Sequence, residues 1–243
     1  MKKIFAKWRQ CENGIRLVLL SLASFAGVGA DIAKAEHEGR ALVQELLAQR
    51  PAENSTNTGV LKIRDSKGKR TEFPVTIVTL ITTTNWQNIY TVAPATNQET
   101  ATLTVVHTDQ RSNQYLTRSN SPSCMVPFAT SDFWLADLGL EFYHWPQQRL
   151  LKKELRRGES CNVLESVNPQ PAPGAYSRVV SWIDIDTGGI IHADAYGHDK
   201  KLLKVFEPKR FNKVNGRWQL KEMEIRNEQT DSRTTLVFDL EVD

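Results

Sequence analysis

From Thr58 onward, apolar and polar residues mostly alternate with a period of two, the mark of half-buried β-strands. Thr58-Gly-Val-Leu-Lys-Ile-Arg64 opens the series, Lys67-Gly68 supplies a turn, and Thr71 to Thr83 is a long strand rich in Val, Ile and Thr. Trp86 to Val92, Thr100 to Thr108 and Gln114 to Arg118 follow, with turns at Thr84-Asn85, Ala95 to Gln98 and Asp109 to Asn113. Closely spaced strands with short links predict an antiparallel meander. Pro74 cannot donate to a ladder, so the start of the second strand is predicted at an edge or bulge.

The clearest stretch is Ser181 to Phe206. Three short runs rich in β-branched and aromatic residues are separated by Asp186-Thr187-Gly188-Gly189 and Gly197-His198-Asp199-Lys200. Gly and Asp tolerate the positive φ angles of tight turns, so a three-stranded meander is predicted. Further strands are predicted at Lys213 to Asn227, around Asn215-Gly216, and at Arg233 to Val242. Arg149 to Arg156 and Cys161 to Val167 flank Arg157-Gly158-Glu159 as a hairpin. A helix is the alternative for the first of them, because Leu, Lys, Glu and Arg all favour one.

Two stretches break the alternation. Ala35 to Gln49 spaces Ala41, Leu42, Leu46 and Leu47 at roughly helical intervals until Pro51, which predicts an amphipathic helix with one face free for a sheet. Between Asn120 and Pro146, a loop leads to Ser131-Asp132, an N-cap candidate for the hydrophobic run Phe133 to Trp145. Gly139 and the lack of alternation there predict one or two short helices. The fold class that follows is mainly β with few helices (α+β), built on one large antiparallel sheet.

The N-terminus departs from this pattern. Lys2, Lys3, Lys7, Arg9 and Arg16 precede the apolar run Leu17 to Val28, which is too short for a comfortable membrane span and suits a secretory signal. Small residues offer cleavage after Ala30 or after Ala35, giving a signal peptide over 1–30 and a single domain over 31–243. The 243-residue chain has a net charge of +3, but the leader to Ala30 carries five basic residues and one acidic. The remainder is therefore close to −1, without the concentrated positive field of a nucleic-acid binder. Cys11 falls in the leader, upstream of the apolar run, which does not support lipoprotein processing. Cys124 and Cys161 are an even pair in an oxidising compartment, where a disulfide is expected.

Candidate chemistry is sparse. His192-x-Asp194 would share one strand face, as metal binding or a hydrolase would need, and His198-Asp199 sits in a predicted turn. No Gly-x-Ser-x-Gly elbow and no glycine-rich phosphate loop occurs. Neither a metal nor a cofactor is expected. The chain does offer apolar surface: a sheet face with Ile191 and Ala193 on it, and a hydrophobic helical segment carrying Phe133, Trp134, Leu138, Phe142 and Trp145. Such a face either packs into an ordinary filled core or encloses a cavity for an apolar ligand.

The order of elements, the stretches Trp182-Ile-Asp-Ile-Asp-Thr-Gly-Gly and Lys201-Leu-Leu-Lys-Val-Phe, the ending from Gly216 to Asn227 and Ser232 to Phe238, and Ser131-Asp132-Phe133 with Asp137-Leu138 resemble the outer-membrane lipoprotein-sorting (LolA-like) proteins. The resemblance implies an unclosed half β-barrel under a helical lid, and a non-catalytic periplasmic carrier holding the acyl chains of lipoproteins or other lipids. The apolar lid run and inner sheet face named above, Phe133, Trp134, Leu138, Phe142, Trp145, Ile191 and Ala193, are then the expected ligand contacts. The resemblance also implies membrane partners: an inner-membrane transporter or an outer-membrane receptor. An envelope sensor or interaction module on the same fold is the alternative, and no ligand-gating residues of the carriers map onto this sequence.

Overall fold

In the computed structural model, β1 (Ser55–Arg64) lies in the middle of one sheet, and the chain fills the two sides of that sheet in separate passes. The structure describes all residues except 1–28, 94–98, 109–110, 119–122, 215–216 and 241–243. The expected signal peptide therefore lies almost wholly outside the described residues, as do the turns expected at Ala95–Gln98 and Asn215–Gly216.

From β1 the chain steps outward through β2 (Arg70–Ile81), β3 (Asn85–Val92), β4 (Ala101–Thr108) and β5 (Gln114–Thr117). Residues 123–146 then cross one face of the sheet to its opposite edge. The chain returns through β6 (Gln147–Arg156), β7 (Glu159–Val167), β8 (Arg178–Asp184), β9 (Ile190–Tyr196), β10 (Leu202–Val214), β11 (Arg217–Asn227) and β12 (Ser232–Phe238), which pairs with β1. Every neighbouring pair is antiparallel. The edge strands β5 and β6 do not pair, so the sheet is not closed into a barrel.

Local chemistry accounts for much of this. The β6–β7 turn places Arg157 (φ 55°) and Gly158 (φ 89°) in the left-handed region, the geometry that matches the twist of a two-residue hairpin. That turn and the continuous ladder to β7 decide for a strand at Arg149 to Arg156, against the helix. The carboxylate of Asp184 accepts from the Thr187 amide at 3.2 Å, and Gly188 takes φ 71°, fixing the β8–β9 turn. At Pro74 the carbonyl accepts from Ala93, so its missing N–H points towards the β3 side, where the ladder begins only at Val75.

The crossing segment contains α2 (Leu135–Leu138) and a 3-10 turn, Glu141–His144. Ser131 and Asp132 do not cap the helix: Trp134 occupies that position, and its amide donates to Asp137 Oδ2 at 2.7 Å. Phe128, Phe133 and Leu135 pack with Leu61, Val75 and Leu103 in one core cluster, and Phe142, Tyr143 and Trp145 pack with Leu164, Tyr176 and Val179 in a second. The segment thus bridges both halves of the sheet on the same face.

Helix α1, described over 29–47, is already helical before Ala35, where the apolar spacing placed its beginning, and lies against β6. Val43 is buried with Leu164 and Ile183. A Cβ at Gly39 would stand 2.6 Å from the Arg149 backbone nitrogen, so helix and strand meet there backbone to backbone. Gly39→Ala is expected to lower stability by about 1–3 kcal/mol through overpacking, despite the better helix propensity of Ala. An unchanged urea midpoint would refute that contact.

The expected disulfide is corrected by the structure, in which both cysteines are free. Cys124 packs against the core beneath the crossing segment. Cys161 sits three residues before the inward-facing Leu164 on β7, an odd offset that puts it on the opposite sheet face. An even cysteine count says nothing about which face each thiol occupies.

Candidate functional site

Between the two core clusters the crossing segment and the sheet do not meet. A cavity of about 540 Å³ lies there, walled by Tyr90, Phe133, Leu138, Ile191, Phe206 and Met223 and reaching the C-terminal end of α1 at Leu46. A recess of about 40 Å³ adjoins it, sharing Asp137, Leu140, Ile190 and Phe206 and bounded by Phe142, Val179, Ala193 and Ala195. The alternation along β9 explains the wall. Ile191, Ala193 and Ala195 face inward, while His192, Asp194 and Tyr196 face out.

The seven residues expected to hold a ligand therefore divide. Phe133, Leu138 and Ile191 line the larger cavity, and Phe142 and Ala193 line the recess. Trp134 and Trp145 line neither. Trp134 stacks on Tyr176 with ring centroids 4.4 Å apart, and Trp145 packs edge-on to Phe142.

The crossing segment is held by a polar clamp that sequence reasoning missed. Lys204 on β10 is 2% exposed, and its ammonium donates to the Asp132 carbonyl at 2.6 Å and to Asp137 Oδ2 at 3.4 Å. It also lies 3.7 Å from the centroid of the Trp134 ring. Burial pulls the Lys204 pKa below its ordinary value, and the Asp137 carboxylate opposes that shift. Tyr176 donates its hydroxyl to the same Asp137 oxygen at 3.2 Å. At the other side of the clamp the Asp132 carboxylate accepts from Thr234 at 2.8 Å and from Ser232 at 2.5 Å, and its amide donates to Thr234 Oγ1 at 2.9 Å. The available signal was a lysine in the apolar run Leu202 to Phe206, on the face strand alternation assigns to Phe206.

The seam between the 3-10 turn and the β4–β5 edge is built differently. His107 stacks on Trp86 at 3.7 Å, and Asn113 donates to the Gly139 carbonyl at 2.6 Å. Yet His107 Nε2, Asn113 Oδ1, Tyr143 Oη and His144 Nε2 have no hydrogen-bond partner among the described residues. A buried polar atom left unpaired costs about 1–3 kcal/mol, so the seam carries that cost at each of these atoms, set against the hydrogen bond that Tyr115 donates to Glu141 across it at 2.9 Å. Burial lowers the His107 pKa to about 4; Asn113 beside it favours the charged form, and His144 opposes it. Burial lowers His144 as well.

The sign of the consequence follows from linkage. In the unfolded chain the imidazole takes up a proton near pH 6.5, whereas the folded chain resists until about pH 4. Stability is therefore expected to fall as pH drops through that window, by about 1–2 kcal/mol once partial solvent screening is allowed for. His107→Gln should flatten this part of the stability–pH curve. Parallel curves for the two proteins would show that His107 is not the titrating group.

His192 and Asp194, the candidate hydrolase or metal pair, lie on the outer face. His192 Nε2 is 2.7 Å from Asp194 Oδ1 and its Nδ1 is 3.2 Å from Glu207 Oε1, with the Trp182 ring edge-on beside it. Glu207 continues to Arg157 and Lys209, and Lys209 to Glu224, forming an ionic lattice that covers the back of the sheet. Neither His192 nor Asp194 touches the cavity or its recess. His198 and Asp199 lie in the β9–β10 turn, where Asp199 accepts from the Lys201 amide at 3.2 Å.

This architecture recurs in solved structures. A DUF1329 family protein from Desulfovibrio piger superposes with a TM-score of 0.64 at 19% identity, covering 86% of this chain and 93% of that one. An outer membrane lipoprotein-sorting protein domain from Vibrio parahaemolyticus gives 0.69 at 17% identity, over 84% and 91%. A LolA superfamily protein from Nitrosomonas europaea gives 0.57 at 14% identity, over 86% and 94%. At these identities the likeness is one of fold. Comparison with curated proteins gives no match. A family model described as an uncharacterized protein family matches residues 84–241, well over half of the sequence. The chain belongs to that family, whose fold is the LolA-like one of the outer-membrane lipoprotein-sorting structures.

Proposed function

We propose that this protein is a non-catalytic binding protein or carrier for the acyl chains of a lipid or lipoprotein, acting in the periplasm. The observation that carries the reading is the 540 Å³ cavity between lid and sheet, within the range of about 300–1,000 Å³ typical of small-ligand sites. Its wall of Phe133, Leu138, Ile191, Phe206 and Met223 suits hydrocarbon. Each methylene kept out of water there is worth about 0.8 kcal/mol, so the cavity shelters an acyl chain that has left the bilayer without needing any charged contact. A carrier also needs cover that moves. The Lys204–Asp132 clamp serves as the hinge side of the lid, and the seam at His107 and His144 as the opening side, where water on opening satisfies atoms that the closed form leaves unpaired.

Export fits the same reading. Cleavage after Ala30 or Ala35 would leave Gly39 and Val43, the residues by which α1 grips the sheet. Delivery of lipoproteins from a transporter to an outer-membrane receptor is the specific role that the fold suggests. Titration with a fluorescent fatty-acid probe tests the reading, with saturable binding at one site expected. A probe that never saturates, or never binds, would overturn it.

A further inference from the structure

The β10–β11 hairpin runs on past the sheet that contains it. β9 leaves β10 at Phe206, and β12 leaves β11 at Glu222. Beyond those points Phe211–Val214 is paired only with Arg217–Leu220, so the far half of the hairpin is a free two-stranded ribbon. Such a ribbon is marginal in water unless something covers it.

One side of this ribbon is apolar and open. Directly opposed residues of an antiparallel pair share a face, which groups Phe211 with Leu220 and Lys213 with Trp218. Phe211 and Leu220 border the cavity, so this face continues the cavity wall outward. Phe211 is 46% exposed and Trp218, two pairs farther out, is 72% exposed. The charge on the ribbon is one-sided. Residues 209–221 contain five basic side chains and no acidic one, although the sequence beyond the leader is close to neutral. Lys209 and Arg210 are engaged by Glu207, Glu224 and Glu222 at the ribbon's base. Lys213, farther out, is exposed and forms no ion pair among the described residues.

We infer that this ribbon docks the protein on an anionic bilayer surface, with Trp218 and Phe211 at headgroup depth and Lys213 against lipid phosphates. An indole prefers that depth because its ring is apolar and its N–H is polar. Basic residues add attraction to anionic lipid, weakened by salt. Two rings exposed to these extents offer about 200–300 Å² in all, well short of the roughly 800 Å² per partner of a standard protein interface, which favours a lipid surface as the occupant. The inference rests on the carrier reading in one respect: the docked face is continuous with the cavity mouth, so an acyl chain could pass between bilayer and cavity without crossing water.

Sedimentation with phosphatidylethanolamine vesicles, with and without phosphatidylglycerol, tests it, with probe binding in solution measured alongside. The expected result is retention on the anionic vesicles that declines with salt. Trp218→Ser and Lys213→Glu should each weaken retention by about tenfold in the same full chain. Both residues lie outside the cavity wall, so probe affinity and the unfolding midpoint should not change. Probe binding without vesicle binding would overturn the ribbon's role and leave the carrier reading standing. Loss of probe binding with vesicle retention intact would do the reverse. Variants retained as well as the wild type, retention indifferent to phosphatidylglycerol and salt, or a protein partner lost in Trp218→Ser without any vesicle binding would each overturn the inference.

Discussion

Lys204→Met is expected to cost about 3–5 kcal/mol of stability and to expose residues 123–146 to proteases at neutral pH. The substitution keeps an unbranched apolar stem, one heavy atom shorter, and removes the ammonium. Asp137 then remains a largely buried carboxylate whose nearest cation is gone, the Asp132 carbonyl loses a 2.6 Å donor, and the Trp134 ring loses its cation. The penalty comes mainly from the partner left behind and not from the worth of the ion pair itself. Adding Asp137→Asn to Lys204→Met should therefore recover part of the loss, because the amide still accepts from the Trp134 amide without carrying charge. Urea unfolding of the two variants measures both quantities. A cost below about 1 kcal/mol for Lys204→Met would mean that the clamp does not hold the lid.

Met223→Trp is expected to abolish binding of an acyl probe while leaving the fold in place. Met223 is half-buried on the cavity wall, and an indole at that position would project into about 540 Å³ of unfilled space. A tryptophan at Ala193 would be a poorer block. Ala193 is 7% exposed in the packed second cluster and borders only the 40 Å³ recess, so the larger ring would force the sheet apart. The two substitutions should consequently differ: Met223→Trp should lose the ligand at near wild-type stability, and Ala193→Trp should lose stability as well. Full probe affinity in a folded Met223→Trp protein would place the ligand elsewhere.

Much of the fold was legible because a half-buried antiparallel sheet writes itself as alternation plus turn chemistry. Asp184 to Gly189 and Arg157-Gly158 behave as their residue types predict, and the inward side of β9 follows from parity at Ile191 and Ala193. The lid was visible as an interruption of that alternation. Its internal geometry was not, because Ser131-Asp132 before an apolar run reads as an N-cap, whereas Asp132 is taken by Thr234, 102 residues away. Long-range polar partners leave no local pattern, and for the same reason Lys204 passed as an ordinary strand lysine. The split among the expected ligand residues has a similar cause. Phe133 and Trp134 are adjacent in a hydrophobic run, and only the packing of the lid sends one to the cavity and the other onto Tyr176. The cysteine pairing failed on sheet parity, which the even count ignored.

The most direct test of the account is native mass spectrometry of the protein purified gently from envelope extracts, followed by lipid analysis of whatever it releases. The account predicts a population heavier than the polypeptide by the mass of an acyl-bearing molecule, with that population missing from Met223→Trp. A wild-type protein that carries no adduct and takes up no added fatty-acid probe would contradict the carrier reading and leave the fold as an interaction module.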